Sequence, residues 1–417
     1  MDRRNISRVL LGSALGAAAL TDEARGQTCS APCYPMTAAE SASGYAINTQ
    51  YPWDDVRRYG ADMTGLADST NAFNRGLALN TACHAVDGVC RIDGTITIGD
   101  GQSLYLSAST QLIRKAVSGN TAPVVHVKGT YALFAGGSVV SENNSPGGVV
   151  CCGHLSTSGS NWVSEFWTFR DCGVYCKNFG GSSASPYPGD GDGIGVYIPS
   201  SQPQLGTPYV NYFGCLQNVR VFGATTAYML TDLANGHTFS NCTFRGIYWY
   251  GFRLHGAYGN SFYGGFLEQG YKDGVIAIWL APKLNPSAPH ASSLESVRNH
   301  FHGFTMELDT SSNIGLHVGV PTCTNNFAEF AWNSTGTAVN DVSHANTVVT
   351  DATGATFGGL VLNAATPTGS GTQVSLGNTT STSVGGAGGA APLPVTPLGY
   401  LVLDYGGSKV KVPYFNS

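Results

Sequence analysis

Charge is scarce in this chain. Only 11% of its 417 residues are Asp, Glu, Lys or Arg, 26 acidic and 21 basic, for a formal net charge of −5. Away from the N-terminus there is no run of Lys or Arg, which excludes the electrostatic footprint of a nucleic-acid binder. No stretch of 18 apolar residues occurs, so no helical membrane span is expected. Helical periodicity is missing between the apolar runs, which argues against a doubly wound sheet with crossover helices. The 11 cysteines include no C-x-x-C pair and no His-bearing zinc spacing, so neither a metal site nor a cofactor is expected. Cys29 with Cys33, and Cys83 with Cys90, are spaced to close small loops in an oxidising compartment, whereas Cys242 reads as a buried thiol.

What the chain has instead is glycine, 55 residues of it, and a repeat. A small residue followed by alternating apolar positions recurs at Gly193, Ala227, Gly251, Gly274, Gly315, Thr337 and Gly359, at intervals of 34, 24, 23, 41, 22 and 22. The two long intervals read as one period plus an inserted loop. A second series, Phe239, Phe262, Phe301, Phe327 and Val348, runs in phase, with Asn260, Asn299 and Asn325 each two residues before a phenylalanine. Alternation within each run is the period of a strand. A fixed period of this length means a solenoid, in which each repeat buries its apolar face against its neighbours. The expected fold is therefore a parallel β-solenoid with three short strands per coil and coils ~4.8 Å apart. Asn and Gly belong at its corners, where a positive φ or a local side-chain hydrogen bond is needed.

In chain order, residues 1–26 carry Arg3, Arg4 and Arg8 ahead of a weakly apolar run, Val9 to Leu20, and resemble a twin-arginine export signal. The alternative is a retained N-terminal helix that docks on another protein. Residues 27–50 are polar and read as a linker, and residues 51–365 carry the solenoid. Val56 to Phe73 combine a strand-like start, a Gly-rich turn and Asp68 or Ser69 as N-cap of a helix from Thr70 to about Asn80. Tyr59-Gly60-Ala61-Asp62, Thr64-Gly65 and Ala67-Asp68-Ser69-Thr70 with Ala72-Phe73 resemble the opening motif of the pectate-lyase-like superfamily. The resemblance implies an all-β, single-stranded right-handed parallel β-helix whose short N-terminal helix, within residues 56–80, caps the first coil. Residues 366–417 are a Gly/Thr/Ser-rich segment and a terminal β-hairpin around Gly406-Gly407. Such tails resemble those of phage tailspike-like members, which implies a homotrimer.

Aligning the coils on the phenylalanines puts Phe222, Arg245, Glu268, Glu307 and Asn333 in one outward column, with Val221, Phe244, Leu267, Met306 and Trp332 facing inward. Glu268 and Glu307 then sit on adjacent coils, ~4.8 Å apart at the backbone. A proton-holding acid beside an ionised carboxylate is what glycosidic bond cleavage requires, and a short separation favours a retaining route. The other reading of Arg245, Glu268 and Glu307 is a solvated charge ladder. Arg245 is expected to orient a substrate acid or to screen Glu268, Tyr263 and His302 form a second, substrate-binding column, and Trp249 or Trp279 is expected to stack on sugar rings. Asp190 and Asp192, within Gly189 to Gly193, are a second acid–base candidate, a pair of Ca²⁺ ligands, or a Gly/Asp turn. The polygalacturonase motifs of the superfamily are absent: Asn235-Gly236-His237 lacks a second glycine, so that catalysis does not carry over. For a lyase, Arg253, His255 and Lys272 are the available groups. The sequence thus points to an exported polysaccharide depolymerase, periplasmic or extracellular, or a virion tail component. Its substrate is expected to be a polysaccharide and its reaction glycoside hydrolysis; the alternatives are a non-catalytic glycan-binding spike or adhesin, or a polysaccharide lyase.

Overall fold

The computed structural model describes residues 33–153, 163–177, 193–200, 210–231, 234–270, 274–281, 295–308, 310–343, 345–350, 361–362, 399–405 and 408–414. The proposed signal, the 180–191 insertion and the Gly406-Gly407 turn lie outside these. The chain divides into two compact units, Met1–Val374 and Ser375–Ser417. The second is described by one antiparallel hairpin, in which Gly399–Tyr405 pairs with Ser408–Tyr414.

The first unit is a parallel β-helix with three strands per coil. The first sheet starts at Ala82–Ala85 and Ser103–Leu106 and continues through Leu133–Ala135, Thr168–Arg170, Cys215–Gln217 and Thr238–Ser240. The second runs from Val89–Arg91 through Gln111–Arg114, Ser138–Ser141, Gly173–Cys176 and Arg220–Phe222 to Thr243–Ile247. From Ser261–Gly270 onward one long strand per coil serves both sheets, followed by His300–Glu307 and Phe327–Trp332. The third sheet stacks nine strands, from Ile96–Ile98 to Thr337–Asp341. Every pairing among these strands is parallel, as a solenoid of right period requires.

One corner uses residues that tolerate positive φ, whereas the corner that enters the first sheet holds Tyr131, Phe166, Phe213 and Arg298 there at 54–57°. Between the first and second sheets the position is Asp171, Asn218, Asn241, Gly264 and Gly303 on successive coils, with φ of 56°, 52°, 51°, 62° and 66°. These are the residue types for which the left-handed region is cheap. The exposed amides also bond along the axis, Asn218 Nδ2 to Asp171 Oδ1 at 2.8 Å and Asn241 Nδ2 to Asn218 Oδ1 at 2.9 Å.

Inside the corner that enters the first sheet, Asn260, Asn299, Asn326 and Asn346 form a buried ladder. Each Oδ1 accepts the backbone N–H and the Nδ2 of the preceding rung, at 2.9–3.2 Å. Each Nδ2 also donates to a carbonyl that a sharp corner would otherwise strand: Ala234, Ala257, Ser296 and Cys323. At its head, Asn260 Oδ1 accepts from the His237 N–H, and His237 Nδ1 accepts from the Gly214 N–H at 2.9 Å. Burial pushes that imidazole down to about 3, so it stays neutral. The expected series shifts by one residue here. Asn326, not Asn325, is the rung, and Ala328, not Phe327, is the register partner of Phe301. Asn325 holds the corner at φ 57°, and Phe327 faces outward beside His300. The ladder partners Phe239, Phe262 and Phe301 do stack face to face in the core, at 4.4 and 4.2 Å between centroids.

The small residue of the repeat also has a packing reason. The column is Gly195, Ala227, Gly251, Ala277, Gly315 and Ala338, so Gly193, Gly274 and Thr337 lie one to three residues ahead of it. A Cβ on Gly251 would lie 2.0 Å from the Phe244 ring, and one on Gly315 would lie 2.7 Å from Trp332. The third sheet leaves this room for the bulky inward residues of the second.

The N-terminal end is closed by the helix Thr70–Leu79, which buries Ala72, Phe73, Gly76 and Leu77. Asp68 Oδ1 accepts the Thr70 N–H at its start, while Asp62 gathers the N–H groups of Thr64, Leu66 and Ala67 and is held at about 2 by them. That explains why the motif needs both acids. The segment read as a linker instead contains a helix, Ala38–Ser43, with a capping box from Thr37 to Glu40. Glu40 is buried and forms a two-pronged ion pair with buried Arg58, at 2.6 and 2.9 Å, and accepts from Tyr59 Oη at 3.0 Å. A polar stretch gives no sign of such a dock, because the tie is one ion pair and not an apolar face. The expected Cys83–Cys90 disulfide is not formed. Both are free thiols packed inward on different sheets, and burial pushes each up to about 12. Cys33 is disulfide-bonded, and Cys242 is the buried thiol expected.

Two outcomes follow. Asn299→Ala strands buried amide and carbonyl groups on both neighbouring coils and should destabilise by about 2–3 kcal/mol, read as a lower urea midpoint; an unchanged midpoint would mean that the ladder is dispensable. Hydrogen bonds from Arg58 hold Glu40 at about 2 against its usual 4.5. A depressed carboxylate stabilises fully above the unfolded value and loses that contribution as pH falls toward the folded one. The wild-type melting temperature should therefore drop between pH 4.5 and about 2, and Glu40→Gln should lower it at neutral pH and remove part of that acid step.

Candidate functional site

The register places the expected column on the outer face of the second sheet. Tyr175 pairs with Phe222, Phe222 with Arg245, Arg245 with Glu268, and Glu268 with Glu307. Behind them Val221, Phe244, Leu267, Met306 and Trp332 are all buried, which fixes the outward direction of their neighbours. Arg245 Nε lies 3.3 Å from Glu268 Oε1, and Asn333 Nδ2 donates to Glu307 Oε1 at 3.2 Å. The Arg245 side chain is 58% exposed and that of Glu268 28%, so the ion pair contributes at most about 1 kcal/mol to stability. Two carboxylates on adjacent rungs, each half-engaged by one neighbour and open to solvent, can take part in acid–base or nucleophilic chemistry. Tyr175 is a member of this column that the phenylalanine alignment does not reach. Its ring stacks on Phe222 at 4.8 Å and 8°. The stack runs along the axis, with Phe222 one rung from Arg245 and two from Glu268.

The expected binding residues are divided among three faces. Tyr263 and His302 are register partners on the outer face of the first sheet, stacked at 5.5 Å and 8°. There His302 Nδ1 lies 3.6 Å from Glu329 Oε2, and the ring packs on Phe327 at 4.8 Å. Trp249 enters the third sheet, where its N–H donates to Thr225 O and its carbonyl accepts from Ile276. Trp279 is on the third sheet too, stacked on Tyr250 at 4.6 Å. Neither tryptophan is on the sheet that carries Glu268 and Glu307. Asp190 and Asp192, with Lys272, fall outside the described residues. Of the residues considered for a lyase, Arg253 is buried and its Nε donates to His255 Nε2 at 2.7 Å. That bond occupies the imidazole lone pair, so the nitrogen facing Arg253 is not free to act as a base. Among the described residues no group of three or more His, Cys, Asp or Glu side chains could hold a metal ion, and no helix is long and apolar enough to cross a membrane.

No protein-family model matches the chain, and no curated protein matches it. Solved structures do resemble it. One is PfbA, a surface adhesin of Streptococcus pneumoniae, at 12% identity and a TM-score of 0.44 over 68% of this chain and 79% of the other. A second is the catalytic unit of a GH87 alpha-1,3-glucanase from Streptomyces thermodiastaticus, at 13% identity and a TM-score of 0.34 over 73% and 69%. A third is the N-terminal fragment of gene product 12 of bacteriophage Phi29, at 9% identity and a TM-score of 0.32 over 70% and 65%. By its own strand ladders, this chain has a parallel β-helix fold, the fold that the resemblance of its capping motif implies.

Proposed function

We propose that the chain is an exported polysaccharide-acting protein that hydrolyses a glycosidic bond between Glu268 and Glu307. The observation that supports this most is their direct register on adjacent rungs, beside a cation and an aromatic pair. A rung spacing of ~4.8 Å suits the short carboxyl separation of a retaining glycosidase. Arg245 gives Glu268 a cationic neighbour, and Glu268 is assigned the attack on the anomeric carbon. Glu307, one rung along, takes the other role, delivery of a proton to the leaving oxygen, with Asn333 Nδ2 donating to its Oε1. A glycan chain lying along the axis would present one sugar unit per rung or so, since the two repeats are of similar length. An extracellular or virion location, and a trimer implied by the tail's resemblance to tailspikes, belong to the same reading.

One observation favours a second reading. Glu268 and Glu307 each already have a partner in their own column, as a static surface ladder would. On that reading the column holds a glycan without cutting it.

Purified protein incubated with a panel of bacterial and plant polysaccharides separates them. Hydrolysis should release reducing ends without ultraviolet absorbance, and Glu268→Gln and Glu307→Gln should each lower the rate by about 10²–10⁴-fold while retention in glycan-containing gels persists. Retention with no cleavage by the wild type would establish binding alone. Absorbance from an unsaturated product would indicate a lyase.

A further inference from the structure

The outer face of the third sheet carries a second polar cluster that the carboxylate column does not use. Its register column runs Met229, Arg253, Trp279, His317 and Asn340. The Arg253 guanidinium carbon lies 4.7 Å from the Tyr250 ring centroid and 4.9 Å from that of Trp279, so a cation sits against the stacked pair of rings. On four successive coils of this sheet, three buried polar atoms have no hydrogen-bond partner: Thr226 Oγ1, Trp279 Nε1 and His317 Nδ1. Thr226 is the register partner of Tyr250, and Trp279 is that of His317. Folded proteins leave few buried polar atoms unsatisfied, and a group of them on one face calls for a partner. Burial keeps the His317 ring toward its neutral form against a hydrogen bond to the Asn340 backbone, so Nδ1 is the imidazole atom without a partner. The indole offers only a donor and the neutral imidazole offers one donor and one acceptor.

We propose that the Trp279–His317 step of the third sheet is a second saccharide site, which binds a neutral sugar ring through vicinal hydroxyls. Hydroxyls both donate and accept, so one sugar edge can satisfy an indole N–H and an imidazole nitrogen together, which a carboxylate cannot do for the donor-accepting pair. Both side chains are partly exposed, and occupation of the site requires each ring to turn about its Cβ–Cγ bond so that its buried nitrogen meets the ligand. The exposed amide position Asn340, on the next rung, extends the polar track. The inference rests on the glycan reading above but not on cleavage, because the site is on a different sheet from Glu268 and Glu307.

The test uses the full chain carrying Glu268→Gln and Glu307→Gln, to prevent turnover, and gels cast with soluble neutral polysaccharides: dextran, galactomannan and xylan. Trp279→Phe, which keeps a ring and removes the donor, should weaken retention about tenfold, in the range of one lost hydrogen bond, and His317→Leu should do the same. In parallel, mild oxidation of tryptophan read by peptide mass should show Trp279 protected by the retained glycan in the chain without these two further changes. That readout does not depend on the variants folding. Retention that is unchanged by both substitutions, with no protection of Trp279, would overturn the site while leaving the glycan reading intact. If none of the neutral glycans is retained, the site falls as well; retention of acidic polysaccharides alone would then keep the carboxylate column as the glycan face, and retention of neither would remove both readings.

Discussion

The structure depends on turning a corner in a buried place without stranding the backbone. A solenoid with three strands per coil must bend sharply three times in some 23 residues, and each bend takes carbonyl and amide groups out of the strand ladders. Along Asn260, Asn299, Asn326 and Asn346 the answer is a side chain that carries one acceptor and two donors and is short enough to reach its own corner. Each amide serves both its own coil and the next, so the coils are coupled by polar bonds as well as by the phenylalanine stack. This coupling adds to the strand ladders that put Glu268 and Glu307 in register.

The same register explains how chemistry is distributed. In a parallel stack every outward residue has a neighbour one rung above and one below, so a site is a column or a pair of adjacent columns. Tyr175, Phe222, Arg245, Glu268 and Glu307 form one such column, and Arg253, Trp279 and His317 lie in another. The first is open and charged. The second is partly buried and contains polar atoms without partners, so the two suit different tasks. An enzyme that held a long glycan against one sheet and gripped a branch on another would use the solenoid as a ruler in two directions.

At the N-terminal end the constraint is of another kind. An open coil would expose Phe73 and Leu77 contacts and unpaired strand edges, and the helix Thr70–Leu79 covers them. The segment ahead of it is fastened by Glu40, Arg58 and Tyr59, a buried ionic group whose desolvation is offset only because every prong is engaged. Such a fastening is ionic and sensitive to acid, whereas the helix covers the coil with apolar residues and depends on carboxylates only in the turn that leads into it.

How much of this was legible depended on whether the signal was local. The strand period, the inward column from Val221 to Trp332 and the outward carboxylates could be read from spacing, because alternation is a two-residue signal and the coils from 239 to 307 keep their internal length. The capping motif was legible for the same reason: Asp62 and Asp68 bond to groups within a few residues. The spacing misled at Asn325-Asn326, where two asparagines compete for one rung and only the closing of the corner selects the second. It misled again at Cys83 and Cys90, which are close in sequence but belong to different sheets. The docking of Glu40 on Arg58, the room left by Gly251 for Phe244, and the division of Tyr263, Glu268 and Trp279 among three faces were decided by the tertiary structure alone. Each depends on where a corner falls, and a corner is set by the packing of neighbouring coils, which no short stretch of sequence contains.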